Sequence, residues 1–314
     1  MEKCLFCYQP LTPGEKDFHP ACARKFFGVT LAPLLPYTRD NMSELAERII
    51  RTSASVTGVQ AKMSLDINRG GKHEPRKLTI VGLWGKYIFK PQSSEFRCLP
   101  ELEDVTMKMA EAAGIRTARH TLIRLADGEL GYLTLRMDRS PKGRKISLLD
   151  MCQLSNRLTE HKYDGTYPQL AETIKKYSAA PMLDVQRYWE VVLFSWITGN
   201  SDMHCKNFSL VDTGGGKYAL APAYDLLAVL LADPEDTEEM AMSFTVGGLK
   251  NGFDRNTFMM AFTQSGIPTI VAEKMINRMK GNLPVWEELI SRSFLPDKMN
   301  KDYCCLLSKR IDLL

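Results

Sequence analysis

The sequence lacks the features of a membrane protein or an exported protein. No apolar run is long enough to span a bilayer, and no N-terminal segment has the apolar core of a signal peptide. We therefore expect a cytoplasmic protein that has no membrane partner. In that compartment its eight cysteines should be mostly reduced thiols or metal ligands rather than disulfides.

The chain also has little net charge, and it has no internal repeat or low-complexity segment. Its 41 basic and 37 acidic residues leave a formal net charge of +4, which is too small to indicate a protein that coats nucleic acid. Of its 314 residues, 44% are hydrophobic and 25% are charged, as in ordinary globular proteins. This length allows two modest domains or one large protein of two lobes.

Secondary-structure signals divide the chain into a β-rich part and a helical part. Between about residue 60 and residue 136, short alternating runs predict strands, and the Asp-Gly pair of "ADGELG" predicts a hairpin. One helix, "PELEDVTMKMAEAAGI", interrupts them. After about Ser140 helices dominate, and the very apolar "DVQRYWEVVLFSWITGN" should be buried. We therefore predict an α+β fold with two lobes and a cleft between them.

The stretch "GNSDMHCKNFSL" places a dense polar cluster directly behind that apolar helix. Asp202 and Asn207 have the spacing D-x-x-x-x-N. Phosphoryl transfer to a hydroxyl needs a carboxylate that accepts the proton and an amide oxygen that holds the magnesium of the nucleotide. This spacing can supply both, and His204 is a candidate for contacting phosphate or the acceptor. The alternative is a solvated loop behind a capped helix, because this spacing alone recurs by chance.

The segment after this loop strengthens the catalytic interpretation. "NFSLVDTGGGKYALAPAYD" has two alternating runs around "TGGG", which predicts a hairpin that ends at Asp225. Because a hairpin returns the chain to its start, Asp225 should lie near Asn207. In protein kinases a second Asp ligates the magnesium of the nucleotide. The alternative for Asp225 is the N-cap of a helix over "LLAVLLA".

The β-rich part should then supply a cation for the nucleotide phosphates. Lys90 ends the apolar run "YIFK", and either Glu103 or its rival Glu101 on the following helix could pair with it. The stretch "SASVTGVQAKMSL" would cover the nucleotide, although it has Gly58 alone instead of a GxGxxG pattern. Its serine and threonine hydroxyls could act as hydrogen-bond donors instead.

These motifs resemble those of the HipA-type serine/threonine kinases, which are the toxins of bacterial toxin–antitoxin modules. The matching segments occur in family order between about residues 50 and 314, and "GNSDMHCKNFSL" and "APAYD" are the most specific of them. The chain is most similar to the short HipT subtype, which lacks the small N-terminal subdomain of full-length HipA proteins. The resemblance implies a bilobal protein-kinase-like fold, with a β-rich N-lobe over residues 31–138 and a helical C-lobe over residues 139–314.

The resemblance also implies a role for each matching residue. Asp202 would be the catalytic base, and Asn207 and Asp225 would hold Mg²⁺. The catalytic set implied in this way is Asp202, His204 and Lys90. The set that binds ATP is Lys90, Glu103, Ser55, Thr57, Gly58, Leu135, Met137, Asp138 and His204. Within that second set, "LRMDR" corresponds to the hinge, so the backbone of Leu135–Met137 would meet adenine and Asp138 would lie near the ribose.

Substrates and partners follow from the resemblance alone. Family substrates are aminoacyl-tRNA synthetases, so the target would be a component of translation. The implied partners are a helix-turn-helix antitoxin, through which alone DNA would be contacted, and a small separate protein that replaces the missing N-terminal subdomain. Family members autophosphorylate serines of the nucleotide loop, and Ser55 and Thr57 are the aligned positions. We predict Ser55 as the first site, because Thr57 is β-branched and stiffer.

The N-terminal residues depart from the family pattern. Cys4, Cys7, His19 and Cys22 form C-x2-C-x11-H-x2-C, two chelating pairs joined by a loop, which is a pattern that can bind zinc. We therefore predict a candidate zinc knuckle over residues 1–30. Metal would order it, because so short a segment cannot build a core of its own. The alternative is three reduced cysteines and a surface histidine.

Two other functions fit the sequence. The loop motif permits a small-molecule kinase of the aminoglycoside type equally well, and only the order of all the motifs argues against it. A non-enzymatic module, in which the zinc knuckle binds a partner and the kinase fold is inert, is disfavoured because no catalytic position is lost.

Overall fold

The computed structural model of the chain describes residues 2–42, 44–45, 62–68, 75–81, 85–140 and 142–314. The chain forms two compact units. The first unit comprises Met1–Asp104, Ala118–Gly143 and Arg292–Phe294, and the second comprises Val105–Thr117, Arg144–Ser291 and Leu295–Leu314. Across the described ranges, no helix has both the length and the apolar character that crossing a membrane requires.

An antiparallel sheet is the main feature of the first unit. Its strands are β1 (Met63–Asn68), β2 (Lys77–Ile80), β3 (Tyr87–Lys90), β4 (His120–Arg124) and β5 (Leu130–Leu135). They follow the order β2-β1-β3-β5-β4, and all neighbouring strands are antiparallel. Met63 and Leu65 are buried on one face of β1, as the alternation predicts. The predicted hairpin joins β4 to β5, and Gly128 in its turn has a φ of 94°.

Helix α1 (Pro20–Phe27) and the start of helix α2 (Leu99–Ala112) belong to the same unit as this sheet. The apolar positions Leu102, Val105 and Met109 of α2 are fully buried, which is why this amphipathic stretch is helical. After α2 the chain turns at Gly114, which has a φ of 81° and is the predicted stop. The first part of α2, up to Asp104, belongs to the first unit, and the remainder belongs to the second.

Helices dominate the second unit. They are α3 (Met151–Leu154), α4 (Tyr167–Tyr177), α5 (Pro181–Ile197), α6 (Val229–Ala232), α7 (Arg255–Gln264), α8 (Thr269–Gly281), α9 (Leu283–Arg292) and α10 (Asp297–Asp312). Every residue of α5 from Tyr188 to Ile197 is buried. The largely apolar sequence of α5 therefore reflects a buried position in this unit, as predicted.

A small antiparallel sheet lies beside these helices. Its strands β6 (Leu148–Asp150), β7 (Ser209–Asp212) and β8 (Tyr218–Leu220) follow in that order. The predicted hairpin joins β7 to β8, and Gly214, Gly215 and Gly216 in its turn all have a positive φ. Only glycine adopts three such conformations in succession without strain. Because β7 begins at Ser209, this sheet anchors the chain directly behind the polar loop.

Candidate active site

The polar loop behind α5 is held from several sides. Gly199 turns the chain with a φ of 72°, a conformation that favours glycine. The Tyr167 hydroxyl donates to the carbonyl oxygen of Met203 at 2.9 Å, and the backbone N–H of Cys205 donates to the carbonyl oxygen of Lys162 at 3.1 Å. These bonds fix the loop backbone, which is a precondition for placing reactive side chains accurately.

Asp202 presents a half-exposed carboxylate from this loop. The Tyr163 hydroxyl donates to its Oδ1 at 2.8 Å. Burial, together with the charge of Asp202, raises the pKa of Tyr163, so the phenol keeps its proton and acts as the donor. The Asp202 Oδ2 atom lies 3.9 Å from Nε2 of His204. Asp202 is therefore oriented through one oxygen and can accept a proton on the other.

His204 is buried beside Asp202, with only 7% of its surface exposed. Its ring meets the Tyr163 ring edge-on at a centroid distance of 5.2 Å. Burial lowers the pKa of His204 although the Asp202 carboxylate opposes the shift, so the imidazole is mainly neutral near pH 7. The backbone N–H of His204 donates to Oδ1 of Asn207 at 3.3 Å. An amide oxygen has two lone pairs, so Asn207 can still accept a second ligand.

Asp225 is tied back to the same loop through its neighbours. The Asn200 side-chain amide donates to the carbonyl oxygen of Asp225 at 3.4 Å. The hydroxyl of Tyr224 donates to the carbonyl oxygen of Lys206 at 2.8 Å and lies 2.5 Å from the Ser209 hydroxyl. The residues that directly precede Asn207 and Asp225 are therefore in contact, as the hairpin predicts.

The backbone of Asp225 is strained. Its φ of 54° lies in the left-handed region, which few non-glycine residues adopt outside turns and functional sites. The following helix, α6, begins at Val229 and has Ala228 at its N-cap. The alternative interpretation of Asp225 as a helix cap is therefore wrong, and the strain points to a role for its side chain.

In the first unit, Lys90 and Glu103 form a buried ion pair. The Lys90 ammonium lies 2.6 Å and 2.8 Å from the two carboxylate oxygens of Glu103, and both side chains are almost fully buried. Lys90 also lies over the Tyr132 ring, 5.4 Å from its centroid. Glu103, rather than its rival Glu101, therefore pairs with the lysine that ends β3.

Glu101 lies two residues earlier on α2 in a different environment. Its Oε2 atom is buried and has no hydrogen-bond partner among the described residues. Burial raises the pKa of Glu101 to about 7, and the charges of Glu129 and Asp104 act in the same direction. Near neutral pH this carboxyl group is therefore partly protonated.

The raised pKa of Glu101 predicts a specific pH dependence of stability. Because its folded-state pKa lies above the value of an exposed glutamate, the free energy of unfolding should fall as the pH rises from about 4.5 through 7. Glu101→Gln should remove this fall in the free energy of unfolding. At pH 8 the variant should therefore be more stable than the wild type by about 1 kcal/mol or more. Urea unfolding of both proteins at pH 5 and pH 8 measures the effect, and a stability difference that is equal at the two pH values would contradict it.

The segment behind β5 corresponds to the predicted adenine and ribose contacts. Leu135 ends β5, and Met137 and Asp138 are half-buried. Asp138 accepts hydrogen bonds from Arg136 at 2.8 and 2.7 Å and from Arg139 at 2.6 Å. Burial raises the pKa of Asp138, but these bonds and charges outweigh it and lower the pKa. The predicted loop positions Ser55, Thr57 and Gly58 lie outside the described residues.

A separate cluster of three cysteines and one histidine lies in the N-terminal part of the first unit. Cys4, Cys7, His19 and Cys22 each offer one ligand atom, and these four atoms all lie within 4.8 Å of one another. The four residues that the sequence singles out are therefore brought together around one point.

Comparison with known proteins identifies related sequences. The model of a family described as the HipA-like C-terminal domain matches residues 54–286. Two proteins of Sinorhizobium fredii, Y4dM and Y4mE, are named as candidate kinases and are each 32% identical to this chain, over 207 and 197 residues. These matches cover 61% and 60% of this chain and 49% and 45% of the relatives. The chain thus spans about half the length of these curated relatives. A candidate kinase of Haemophilus influenzae is 23% identical, with 94% of this chain and 92% of that protein covered.

Solved structures share the fold. HipA of Shewanella oneidensis MR-1, in its complex with HipB and operator DNA, has a TM-score of 0.68 at 19% identity, with 96% of this chain and 73% of that chain covered. The proinflammatory kinase CtkA of Helicobacter pylori has a TM-score of 0.55 at 13% identity, with 79% of this chain and 92% of that chain covered. These likenesses confirm the predicted α+β, protein-kinase-like fold.

Proposed function

The chain belongs to the family of HipA-like C-terminal domains, and we propose that it is an ATP- and Mg-dependent serine/threonine protein kinase. This proposal rests on the geometry of the polar loop behind α5 in the second unit. There, Tyr163 orients the Asp202 carboxylate, and Asn200 holds the strained Asp225 against the same loop. In protein kinases, transfer of phosphate to a hydroxyl uses a base followed along the chain by an aspartate that binds magnesium.

The residues of the second unit fit a magnesium nucleotide. ATP supplies the transferred phosphoryl group, and Mg²⁺ neutralises the charge that develops on it. Mg²⁺ prefers oxygen ligands, and Asn207 and Asp225 would provide one amide and one carboxylate oxygen. The neutral imidazole of His204 can donate one N–H to a phosphate oxygen. Because the ring carries no negative charge, it does not repel the phosphate.

Asp202 would receive the proton of the attacking hydroxyl. Its Oδ1 accepts the hydrogen bond of Tyr163, which restrains the carboxylate, and Oδ2 is left for the acceptor. The half-exposed position allows a serine or threonine of another protein to approach it. Since the carboxylate is half-exposed, water stabilises its negative charge, and the group becomes neutral when it accepts the proton.

In the first unit, Lys90 would bind the α- and β-phosphates. Its pairing with both carboxylate oxygens of Glu103 holds the ammonium in one place. A lysine fixed in this way needs little reorganisation when phosphate binds.

Family membership also supports a biological role. HipA of Shewanella oneidensis is solved with HipB and operator DNA. By analogy, we propose that this chain is the toxin of a toxin–antitoxin module, with a helix-turn-helix antitoxin as partner and contact to DNA only through that antitoxin. The proposed target is a component of translation such as an aminoacyl-tRNA synthetase. A small separate protein equivalent to the N-terminal subdomain of full-length HipA proteins is a further proposed partner.

Labelled ATP tests the proposed activity. The purified full chain, with Mg²⁺ and γ-labelled ATP, should transfer phosphate to serine or threonine of proteins, and chelation of Mg²⁺ should stop the transfer. Induced expression should arrest growth, and co-expression of the antitoxin should relieve the arrest. Transfer to aminoglycosides or sugars without any protein acceptor would instead favour a small-molecule kinase. The absence of any transfer would favour an inert binding module.

The nucleotide loop provides a further prediction. Ser55 or Thr57 should be phosphorylated when the wild type is expressed alone, and not in an Asp202→Asn variant. A phosphate carries about −1.5 to −2 charge near neutral pH, so it would be repelled by the phosphates of ATP and the kinase would switch itself off. Mass spectrometry of both proteins measures the modification. An active wild-type preparation without phosphate on either residue would rule out this form of self-inactivation.

A further inference from the structure

The cysteine cluster has the dimensions of a zinc site. The ligand atoms of Cys4, Cys7, His19 and Cys22 lie within 4.8 Å of one another, and Sγ of Cys7 and of Cys22 lie 3.4 and 3.8 Å from Nδ1 of His19. With bonds of about 2.0–2.3 Å to a central Zn²⁺, tetrahedral ligands are separated by about 3.5–4 Å. Small adjustments of the side chains would therefore complete the coordination.

His19 is oriented for metal binding by a hydrogen bond on its other nitrogen. Its Nε2 lies 3.0 Å from the carbonyl oxygen of Pro10. A carbonyl oxygen can only accept, so Nε2 carries the proton and Nδ1 presents its lone pair toward the thiols. Zinc-binding histidines usually have such a partner behind them, and a surface histidine beside three unrelated thiols does not need one.

We propose that these four residues bind one zinc ion, and that the zinc knuckle positions both members of the Lys90–Glu103 pair. The proposal of zinc binding rests on the geometry of the four ligand atoms and does not depend on the kinase function. The effect on nucleotide affinity rests on the proposed kinase function, because it requires Lys90 to bind phosphate.

Tyr8 connects the knuckle to the helix that carries Glu103. It directly follows Cys7, and its backbone N–H donates to the carbonyl oxygen of Cys4 at 2.9 Å, so the turn between the two cysteines fixes its position. Its hydroxyl donates to Oδ2 of Asp104 at 2.6 Å, and Asp104 is the residue after Glu103 on α2. Both Tyr8 and Asp104 are buried. A movement of the turn between Cys4 and Cys7 would therefore change the position of Asp104, which is adjacent to Glu103.

The backbone of Tyr8 supports a positional role. Its φ is 63°, in the left-handed region where glycine is the least strained residue. A bulky tyrosine there persists only if surrounding structure holds it. The hydrogen bond to Asp104 and the edge-on contact with the Phe294 ring, at 5.5 Å between centroids, are two such restraints. Glycine would satisfy the turn but would lose the connection to α2.

A second contact connects the knuckle to the strand that carries Lys90. Helix α1 begins directly after His19 and contains Cys22. Its aromatic residues Phe26 and Phe27 lie 5.9 and 6.2 Å from the ring of Tyr87, measured between centroids. Tyr87 is the first residue of β3, and Lys90 is the last. The knuckle therefore contacts both α2, which carries Glu103, and β3, which carries Lys90.

Loss of zinc should then weaken nucleotide binding without touching the catalytic loop. The knuckle is too short to stay folded on a core of its own, so metal removal would release Tyr8 and the α1 aromatics from their positions. Asp104 would lose the hydrogen bond from Tyr8 and keep the one from His120, whose Nδ1 lies 2.8 Å from its Oδ1. The first two turns of α2 would be held less firmly, and with them Glu103.

Elemental analysis of the untagged protein tests zinc binding. We expect one zinc per chain in the wild type and in Cys305→Ser, which changes an exposed cysteine outside the cluster. Cys22→Ser should lose the metal. A wild-type protein that is folded but free of metal, or a Cys22→Ser variant that keeps a full equivalent, would overturn the zinc site.

Tyr8→Phe tests the coupling in a protein that keeps its zinc. The change removes only the hydroxyl that meets Asp104. We expect hydrogen exchange in the first turns of α2 to become at least tenfold faster and the Kd of a non-hydrolysable Mg-ATP analogue to rise about tenfold, which corresponds to about 1.4 kcal/mol. Zinc content should be unchanged. Tyr303→Phe is the matched control, because it removes a buried tyrosine hydroxyl that lies 2.8 Å from Thr106 farther along the same helix.

The outcomes separate this inference from the proposed kinase function. If Tyr8→Phe and Tyr303→Phe change exchange at the start of α2 and nucleotide affinity to the same extent, the specific role of Tyr8 is wrong. Unchanged exchange in Tyr8→Phe would overturn the coupling even if the wild type bound no nucleotide. A wild type that binds zinc and shows the exchange effect but does not bind the ATP analogue would contradict the kinase function alone.

Discussion

Replacing Asp202 with Asn is expected to reduce phosphoryl transfer by about 10²- to 10⁴-fold, the range that loss of a general base produces. The amide keeps the size of the carboxylate, and its oxygen can still accept the hydrogen bond of Tyr163. Because the Asp202 side chain is half-exposed, the free energy of unfolding should change by no more than about 0.5 kcal/mol. Transfer assays with labelled ATP, together with the Kd of a Mg-ATP analogue, measure the two effects separately.

A matched control makes this result specific. Asp302→Asn changes an exposed carboxylate on α10 and should leave both transfer and nucleotide affinity at wild-type values. Asp225→Asn should instead weaken the binding of the nucleotide when Mg²⁺ is present and have little effect without it. Near wild-type transfer in Asp202→Asn would mean that another group accepts the proton.

Replacing Glu103 with Gln is expected to impair both stability and nucleotide use. The Lys90 ammonium would stay buried beside a neutral amide that offers one acceptor in place of two charged oxygens. Breaking a buried ion pair in this way destabilises proteins by about 3–5 kcal/mol, and the retained amide oxygen should place the loss near the lower end. The Kd of the Mg-ATP analogue should rise at least tenfold, because the ammonium is no longer fixed.

Glu101→Gln is the control for this prediction. It makes the same chemical change two residues away on the same helix, at a carboxyl group whose raised pKa already favours the neutral form. It should leave nucleotide affinity unchanged. If Glu103→Gln and Glu101→Gln lost affinity for the Mg-ATP analogue equally, any substitution in this part of α2 would weaken binding. The Lys90–Glu103 pair would then have no specific role.

The fold class and the family were predictable because their signals are local and dense. The largely apolar α5, the "TGGG" hairpin and the loop behind α5 each leave a recognisable pattern, and the protein-kinase-like fold is confirmed. Helices are predicted to dominate after about Ser140, but the bounds of α4 and α7 are not predicted, although each begins with a capping box that marks its start: Thr166 with Gln169, and Asp254 with Thr257. Strand β6 was missed because three residues are too few for a periodic pattern.

The finer arrangement of the site depends on contacts that are remote in sequence. The choice between Glu101 and Glu103 follows from which face of α2 meets β3, and helical spacing alone does not give that rotation. Tyr163 lies in a polar loop with no periodicity, so nothing in the sequence pointed to its bond with Asp202. The contact between Tyr8 and Asp104 joins residues 96 positions apart. The loop positions Ser55, Thr57 and Gly58 stay predictions.

Phosphoproteomics after brief induction shows whether the chain phosphorylates proteins in the cell. Cells expressing the wild-type chain are compared with cells expressing Asp202→Asn at equal protein levels. We expect at least one serine or threonine site, in a protein of the translation machinery, to become phosphorylated only with the wild type and before growth stops. Identical phosphoproteomes in the two strains, with both proteins folded and the wild type able to bind Mg-ATP, would contradict a protein-kinase function.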